Sequence, residues 1–186
     1  MIGPPTDGWA REVLTFWFRE IQPDDWFTKC DATDELIRAR FSQTHAFVAR
    51  EPVGELVRDA DTALGATIVL DQFSRNMFRN DPVAFATDEK ARLLARRAIG
   101  RGFDRHLSNH RRVFFYLPFE HSETLSDQDV SVALFSALGD ENFLRFAEKH
   151  RKVILAFGRY PHRNAVLNRT STPPERAYLL QPGRGF

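Results

Sequence analysis

Helix start and stop signals follow one another along nearly the whole chain, and no alternating run bounded by hairpin turns competes with them. Thr6 or Asp7 is placed to cap a first helix in which Trp9, Val13, Phe16 and Trp17 fall at helical spacing, before Gln22-Pro23-Asp24-Asp25 breaks it. Asp31 is placed to cap a second helix, with Ile37, Phe41, Thr44 and Val48 on one stripe and Glu51-Pro52 as its stop. A short helix around Gly54 to Asp59 follows, and Thr62 is expected to cap the next. Asp81-Pro82 combines a cap with proline at the first helical position, and that helix runs through Ala91, Leu94 and Ala98 to a stop at Gly100 or Gly102. Ser108 opens a helix through HRRVFFYLPFEH, and Ser126 with Asp129 reads as an acidic capping box ahead of VSVALFSAL, which Gly139 ends. Asp140 caps a long helix with Phe146, His150, Val153 and Phe157 on a shared face and Gly158 as its stop. Thr172-Pro173-Pro174-Glu175 supplies the last start signal, with cap, proline and acidic third position in the favoured order.

This punctuation predicts an all-α chain of eight or nine helices in antiparallel pairs, forming one domain over residues 1–186. A domain of that length buries about 70% of the surface its unfolded chain exposes, so disulfides are not required. The single cysteine, Cys30, has no internal partner and makes neither a zinc site nor a catalytic constellation by itself. The stretch MIGPPTDGWAREVL lacks the basic-then-apolar order of a secretory signal, and no later run reaches membrane-spanning length. A cytoplasmic protein with no membrane association is expected.

The net charge of +1 conceals an imbalance: residues 142–186 hold nine Lys/Arg and two Asp/Glu, which is +7, leaving −6 for residues 1–141. That basic excess is not laid out as a repeated stripe interleaved with aromatics, so no nucleic-acid partner is expected. Internal pairing around one local anion site is expected instead.

Polar residues intrude on apolar sequence in three places. In ATIVLDQFSRNMFR, 100° steps put Leu64, Ile68, Asp71 and Arg75 on one stripe, so an acid and a base replace hydrophobes on a helix that is apolar nearly all round. Asp71 and Arg75 stand at i, i+4 with the acid on the favourable side, and Gln72, Asn76 and Arg79 add more hydrogen-bonding groups than one pair requires. In FFYLPFEHSE, Pro118 frees a carbonyl just before Glu120, His121 and Glu123, where the histidine is either a tuned acid or base or satisfies local backbone groups. In FGRYPHRNAVLNR, Gly158 closes one helix and Pro161 opens the next, and Arg159, His162, Arg163, Asn164 and Arg169 surround the turn. Guanidinium forks and free amides suit a carboxylate or phosphate, supplied by a ligand or by Asp71, Glu120 or Glu123.

LDQFSRNMFR, FYLPFEHSE and FGRYPHRNAVLNRTST, with FWF near the start and AFATDEKAR between, resemble in their order the bacterial domain of unknown function family 924. The resemblance covers nearly the whole chain. It implies a helical fold similar to tetratricopeptide-repeat superhelices and brings no catalytic residue to carry over. Members of that family commonly have proline where this chain has Ser74, which relaxes the backbone there, and often glycine where it has Asn168.

Two functions follow. In the first, Gln72, Arg75, Asn76, Arg159, Arg163, Asn164 and Arg169 bind a small carboxylate or phosphate ligand, His121 or His162 transfers protons, and Asp71 or Glu123 orients them. In the second, the helical pairs capture an acidic peptide and the polar cluster is structural. Metal-assisted hydrolysis by His121, Glu123, His162 and Asp71 lacks motif spacing, so no metal is assigned. The sequence specifies no cofactor.

Overall fold

The computed structural model describes residues 8–182, and among these there is no strand. The expected cap at Thr6 or Asp7 lies outside the described residues. The chain divides into two compact units, one holding Val83–Pro118 with the chain up to Arg79, the other holding Asn80–Pro82 with the chain from Phe119 on.

In the first unit, helix α1 (Trp9–Thr15) continues into a π-helical turn, Phe16–Glu20. It is followed by α2 (Asp31–Arg50), α3 (Val53–Leu56) and α4 (Ala60–Ile68). A second π-helical turn, Val69–Phe73, carries α4 into α5 (Ser74–Met77). Next come α6 (Asp88–Gly100) and α7 (Asn109–Glu120), with Pro118 inside the latter's last turn and Phe119 and Glu120 already belonging to the second unit. The stripes read from sequence form the core: Trp9, Val13, Phe16, Trp17, Ile37, Phe41 and Val48 are all buried. Phe41 packs against Phe16 and Phe73 at ring separations of 5.0 and 4.9 Å, and Trp17 meets Phe73 and Phe114 edge-on at 5.6 Å each. Helices α1 and α4 approach so closely that a Cβ on Gly65 would stand 3.3 Å from Ala10 Cα.

Several boundaries shift from the sequence reading for identifiable reasons. Cys30, not Asp31, occupies the cap position of α2, and Asp31 is an acid in its first turn. Asp59 caps α4, accepting from Thr62 N at 2.8 Å and Thr62 Oγ1 at 2.7 Å, so Thr62 is the residue capped. The segment Pro82–Phe85 forms a separate 3₁₀ turn, and α6 starts only at Asp88 after Thr87. The helix then ends in a Schellman motif: Gly102 takes φ 73°, Phe103 N bonds Ala98 O at 3.1 Å and Gly102 N bonds Ile99 O at 2.8 Å. Lys90 Nζ caps the far end of α2, donating to Val48 O, Ala49 O and Glu51 O at 2.9, 2.8 and 2.5 Å.

The second unit is built on α8 (Leu125–Leu138) and α9 (Glu141–Phe157), joined by the turn at Gly139 and Asp140. A 3₁₀ turn, Pro161–Arg163, and α10 (Pro173–Leu179) complete it. Asp140 accepts from the amides of Asn142 and Phe143, Gly158 ends α9 at φ 66°, and Thr172 with Glu175 forms both bonds of a capping box, all as expected. Helix α8 instead starts at Leu125, after Thr124, so the box at Ser126 and Asp129 does not form. The turn before it is fixed by Ser122 Oγ, which accepts from Thr124 N at 3.2 Å and donates to Asp127 Oδ2 at 2.8 Å. The buried face of α9 is Ala147, His150, Val153 and Ile154, with Phe146 39% exposed rather than inside.

Candidate functional site

Asp71, Gln72, Arg75 and Asn76 belong to the first unit. The opening of the helix into a π turn leaves carbonyls for side chains to use, and two are used. Thr87 Oγ1 donates to Leu70 O at 2.6 Å, and Arg75 Nη1 donates to Asp71 O at 2.6 Å. Arg75 lies 3.2 Å from Asp71 Oδ1, as the i, i+4 spacing predicts, but its fork closes on Asp88 with two bonds of 3.0 Å. Gln72 donates to Asp71 Oδ2 at 2.7 Å. Asn76 and Arg79 both turn to Asp34 on α2, the amide at 2.7 Å and the guanidinium at 2.5 and 2.7 Å. Burial opposes charge on Asp34, yet these donors outweigh it and hold the carboxyl below its ordinary range. Internal carboxylates therefore occupy this cluster.

Ser74 is buried and does more than relax the backbone. A carbonyl only accepts, so the single hydroxyl proton of Thr87 is committed to Leu70 O, and Thr87 must accept from Ser74 at 2.8 Å. Ser74 in turn accepts from His45 Nε2 at 2.7 Å. That direction makes His45 the donor, so it does not activate the serine as a nucleophile.

The second unit holds Glu123, His121, Arg159, His162, Arg163, Asn164 and Arg169. Arg169 forks onto Glu123 at 2.7 and 2.9 Å, and Tyr160 N donates to the same carboxylate at 2.8 Å. These donors overcome the penalty of burial and hold Glu123 below the usual carboxylate range. Arg159 forks onto Glu175 at 2.6 and 2.8 Å and holds that carboxyl well below its ordinary value. Arg163 lies 7% exposed, with its guanidinium carbon 4.5 Å from the centre of the Tyr160 ring.

Beneath this turn, Tyr160 Oη donates to Glu120 O and accepts from Gln128 Nε2 at 2.8 Å, and Gln128 also reaches Glu120 O and Ser122 O at 2.7 Å each. His150 Nδ1 must donate to Phe146 O at 2.9 Å and lies 3.3 Å from Glu120 Oε1, which leaves Nε2 as the acceptor nitrogen. Burial, then the field of His121, Arg163 and His162, pushes the His150 pKa down to about 3. Burial and Arg163 push His162 down to about 4. Both imidazoles are neutral at pH 7. Asn164 Nδ2 donates to Ser171 Oγ at 3.1 Å, whereas Asn164 Oδ1 and Arg169 Nε are buried with no hydrogen-bond partner in the chain. Arg169 N donates to Asn164 O at 2.7 Å, so those two polar atoms belong to residues joined through the backbone.

Sequence reasoning missed Asp34 and Asp88 as partners, and Tyr160, Gln128 and His150 as the floor of the second cluster. His150 alone carried a signal, as a histidine on the apolar face of α9.

Two surface depressions lie away from these groups. One, of about 470 Å³, is lined on α8 and α9 by Asp129, Val132, Glu148, Arg151 and Lys152. The other, of about 40 Å³, adjoins Trp9, Phe47 and Thr62. Among the described residues no group of three or more His, Cys, Asp or Glu is placed to hold a metal ion, and no helix is long and apolar enough to cross a membrane.

A comparison with curated proteins found no match. The chain is similar to a solved protein of unknown function from Agrobacterium tumefaciens, ATU0120, at 41% identity and a TM-score of 0.89, over 95% of this chain and 99% of that one. The family model described as bacterial protein of unknown function (DUF924) matches residues 13–183. With the ordered motifs and the helical fold of that relative, this match establishes that the chain belongs to the DUF924 family.

Proposed function

We propose that the second unit binds a small molecule carrying a carboxylate or phosphate, at the turn formed by His162, Arg163 and Asn164. The observation that carries this reading is the polar capacity left over on this segment: the Asn164 amide oxygen and Arg169 Nε are buried with no hydrogen-bond partner in the chain, on a stretch that also holds the buried Arg163 and neutral His162. An anionic group suits Arg163, and a hydroxyl or amino group on the same ligand suits the Asn164 oxygen. Arg159 and Arg169, forked onto Glu175 and Glu123, act as the frame that holds the turn. Neutral His162, together with His121, is the candidate for proton transfer to or from the ligand. The cluster around Asp71, Gln72, Arg75 and Asn76 serves to fix helices in the first unit.

The test is a thermal-shift panel of lactate, citrate, inorganic phosphate and glycerol phosphate. At least one should raise the melting temperature, and Arg163→Gln should remove the shift while a surface change, Arg145→Gln, keeps it. No shift with any anion, or an undiminished shift in Arg163→Gln, rejects the site.

A second reading, a helical interaction module resembling tetratricopeptide repeats, draws support from the α8–α9 pair and the 470 Å³ groove on its surface. Loss of peptide capture in Arg151→Ala with anion binding intact would favour it.

A further inference from the structure

Helix α9 carries a second stripe beside its buried one. Steps of about 100° place Leu144, Glu148, Arg151 and Leu155 within about 60° of one another, at the alternating four- and three-residue spacing of a helix-pairing seam. Leu155 is 61% exposed, Glu148 is exposed, and Leu144 and Arg151 are half-buried. The stripe borders the groove of about 470 Å³, which Asp129 and Val132 line on α8 and Glu148, Arg151 and Lys152 line on α9. Arg151 bonds Asp129 through Nε at 2.6 Å, which leaves its Nη groups for a second carboxylate. The same bond sets the register of the antiparallel α8–α9 pair and puts Ser136 level with Leu144, where α8 exposes only the small side chains of Ala133 and Ser136. Among the described residues the Glu148 and Lys152 side chains form no ion pair.

We infer that this face of the second unit is where two copies of the chain associate, α9 against α9, as a symmetric pair. The stripe reads apolar, acid, base, apolar in one direction and apolar, base, acid, apolar in the other. A second α9 running antiparallel about a two-fold axis between residues 149 and 150 therefore sets Leu155 against the partner's Leu144, and Glu148 against the partner's Arg151. The low relief of Ala133 and Ser136 leaves room for the incoming leucine. The groove holds two carboxylates and two cations, the balance that a patch meeting its own copy requires, whereas a groove for an acidic peptide would carry an excess of cations. The seam is shorter than a standard interface, so the pair is a weak one with micromolar affinity. It uses none of His162, Arg163 and Asn164 and is independent of the anion site proposed above.

The experiment is sedimentation equilibrium of the full chain from about 5 to about 500 µM, in which the average mass should rise from one chain toward two. Leu155→Asp, at an exposed position, should weaken association about tenfold or more, while Leu93→Asp, on α6 and also exposed, should leave it unchanged. Glu148→Arg and Arg151→Glu should each weaken association, because each sets like charges face to face. An equimolar mixture of those two variants should associate again, since every charged contact across the mixed pair is then opposite in sign. That recovery also shows that both variants are folded. A single-chain mass at every concentration overturns the inference and leaves the groove to a peptide from another protein. Association of Leu155→Asp equal to that of the parent, or no recovery in the mixture, overturns it as well.

Discussion

Asp34 accepts both arms of Arg79, Nε at 2.5 Å and Nη2 at 2.7 Å, from a residue 45 positions away along the chain. The pair ties the start of α2 to the segment following α5, and Asn76 completes it. Asp34→Asn would leave a half-buried guanidinium without its carboxylate, at a cost of about 1 to 3 kcal/mol given the partial exposure of Arg79. Urea unfolding measures it directly. Asp34→Asn with Arg79→Met should recover part of the loss, and a single variant as stable as the parent would show that the pair contributes nothing.

Acid should destabilise the fold before its carboxylates titrate. His150 and His162 have folded pKa values of about 3 and about 4, below the ordinary 6.5, so the unfolded chain takes up protons that the folded chain refuses. Their contribution is complete above 6.5 and is lost as pH falls from there toward those lower values, each histidine costing about 2 kcal/mol by pH 5. Unfolding free energies measured from pH 7 to pH 5 should fall, and His150→Gln should reduce the slope. A flat profile would contradict the burial of these imidazoles.

Asn168 occupies left-handed backbone at φ 53°. Asn168→Gly should be neutral or slightly stabilising, whereas Asn168→Val should cost about 1 to 2 kcal/mol. Thermal melts of the two variants should separate accordingly, and equal melting temperatures would refute the assignment of strain.

Lys90 gathers three carbonyls at the end of α2, and burial lowers its pKa. Lys90→Met keeps the stem and removes the donors, so fraying should be confined to the last turn of α2 at a cost of about 1 to 3 kcal/mol. Hydrogen exchange at the amides of residues 47–51 is the readout, and unchanged protection there would count against the cap.

Legibility in the sequence followed the range of the interaction. Asp140 and Thr172 were readable as caps because the acceptor and the amides it serves lie within three residues. Thr62 was misread because Asp59, three residues upstream, takes the cap position and accepts from Thr62's own amide and hydroxyl. The Asp71–Arg75 contact was readable from its i, i+4 spacing, but the stronger fork to Asp88 spans 13 residues and leaves no periodic trace. Glu175 shows the same limit in another form. Its place in the capping motif was evident, while its second task, holding Arg159, depends on a turn 16 residues earlier.

The π turn at Val69–Phe73 makes the α4–α5 rod a phase-shifted helix. Whatever follows the turn is rotated relative to what precedes it, so α4 keeps its apolar surroundings while Arg75, Asn76 and Arg79 are dialled toward Asp88 and Asp34. Because the turn takes up about one residue of winding, deleting one residue inside it would leave ordinary α-helix with those three side chains aimed as before, whereas a deletion elsewhere in the rod would swing them about 100° around the axis. The turn is thus a one-residue buffer in an otherwise digital rod: a residue lost outside it changes which partner each arginine meets, and a residue lost within it does not.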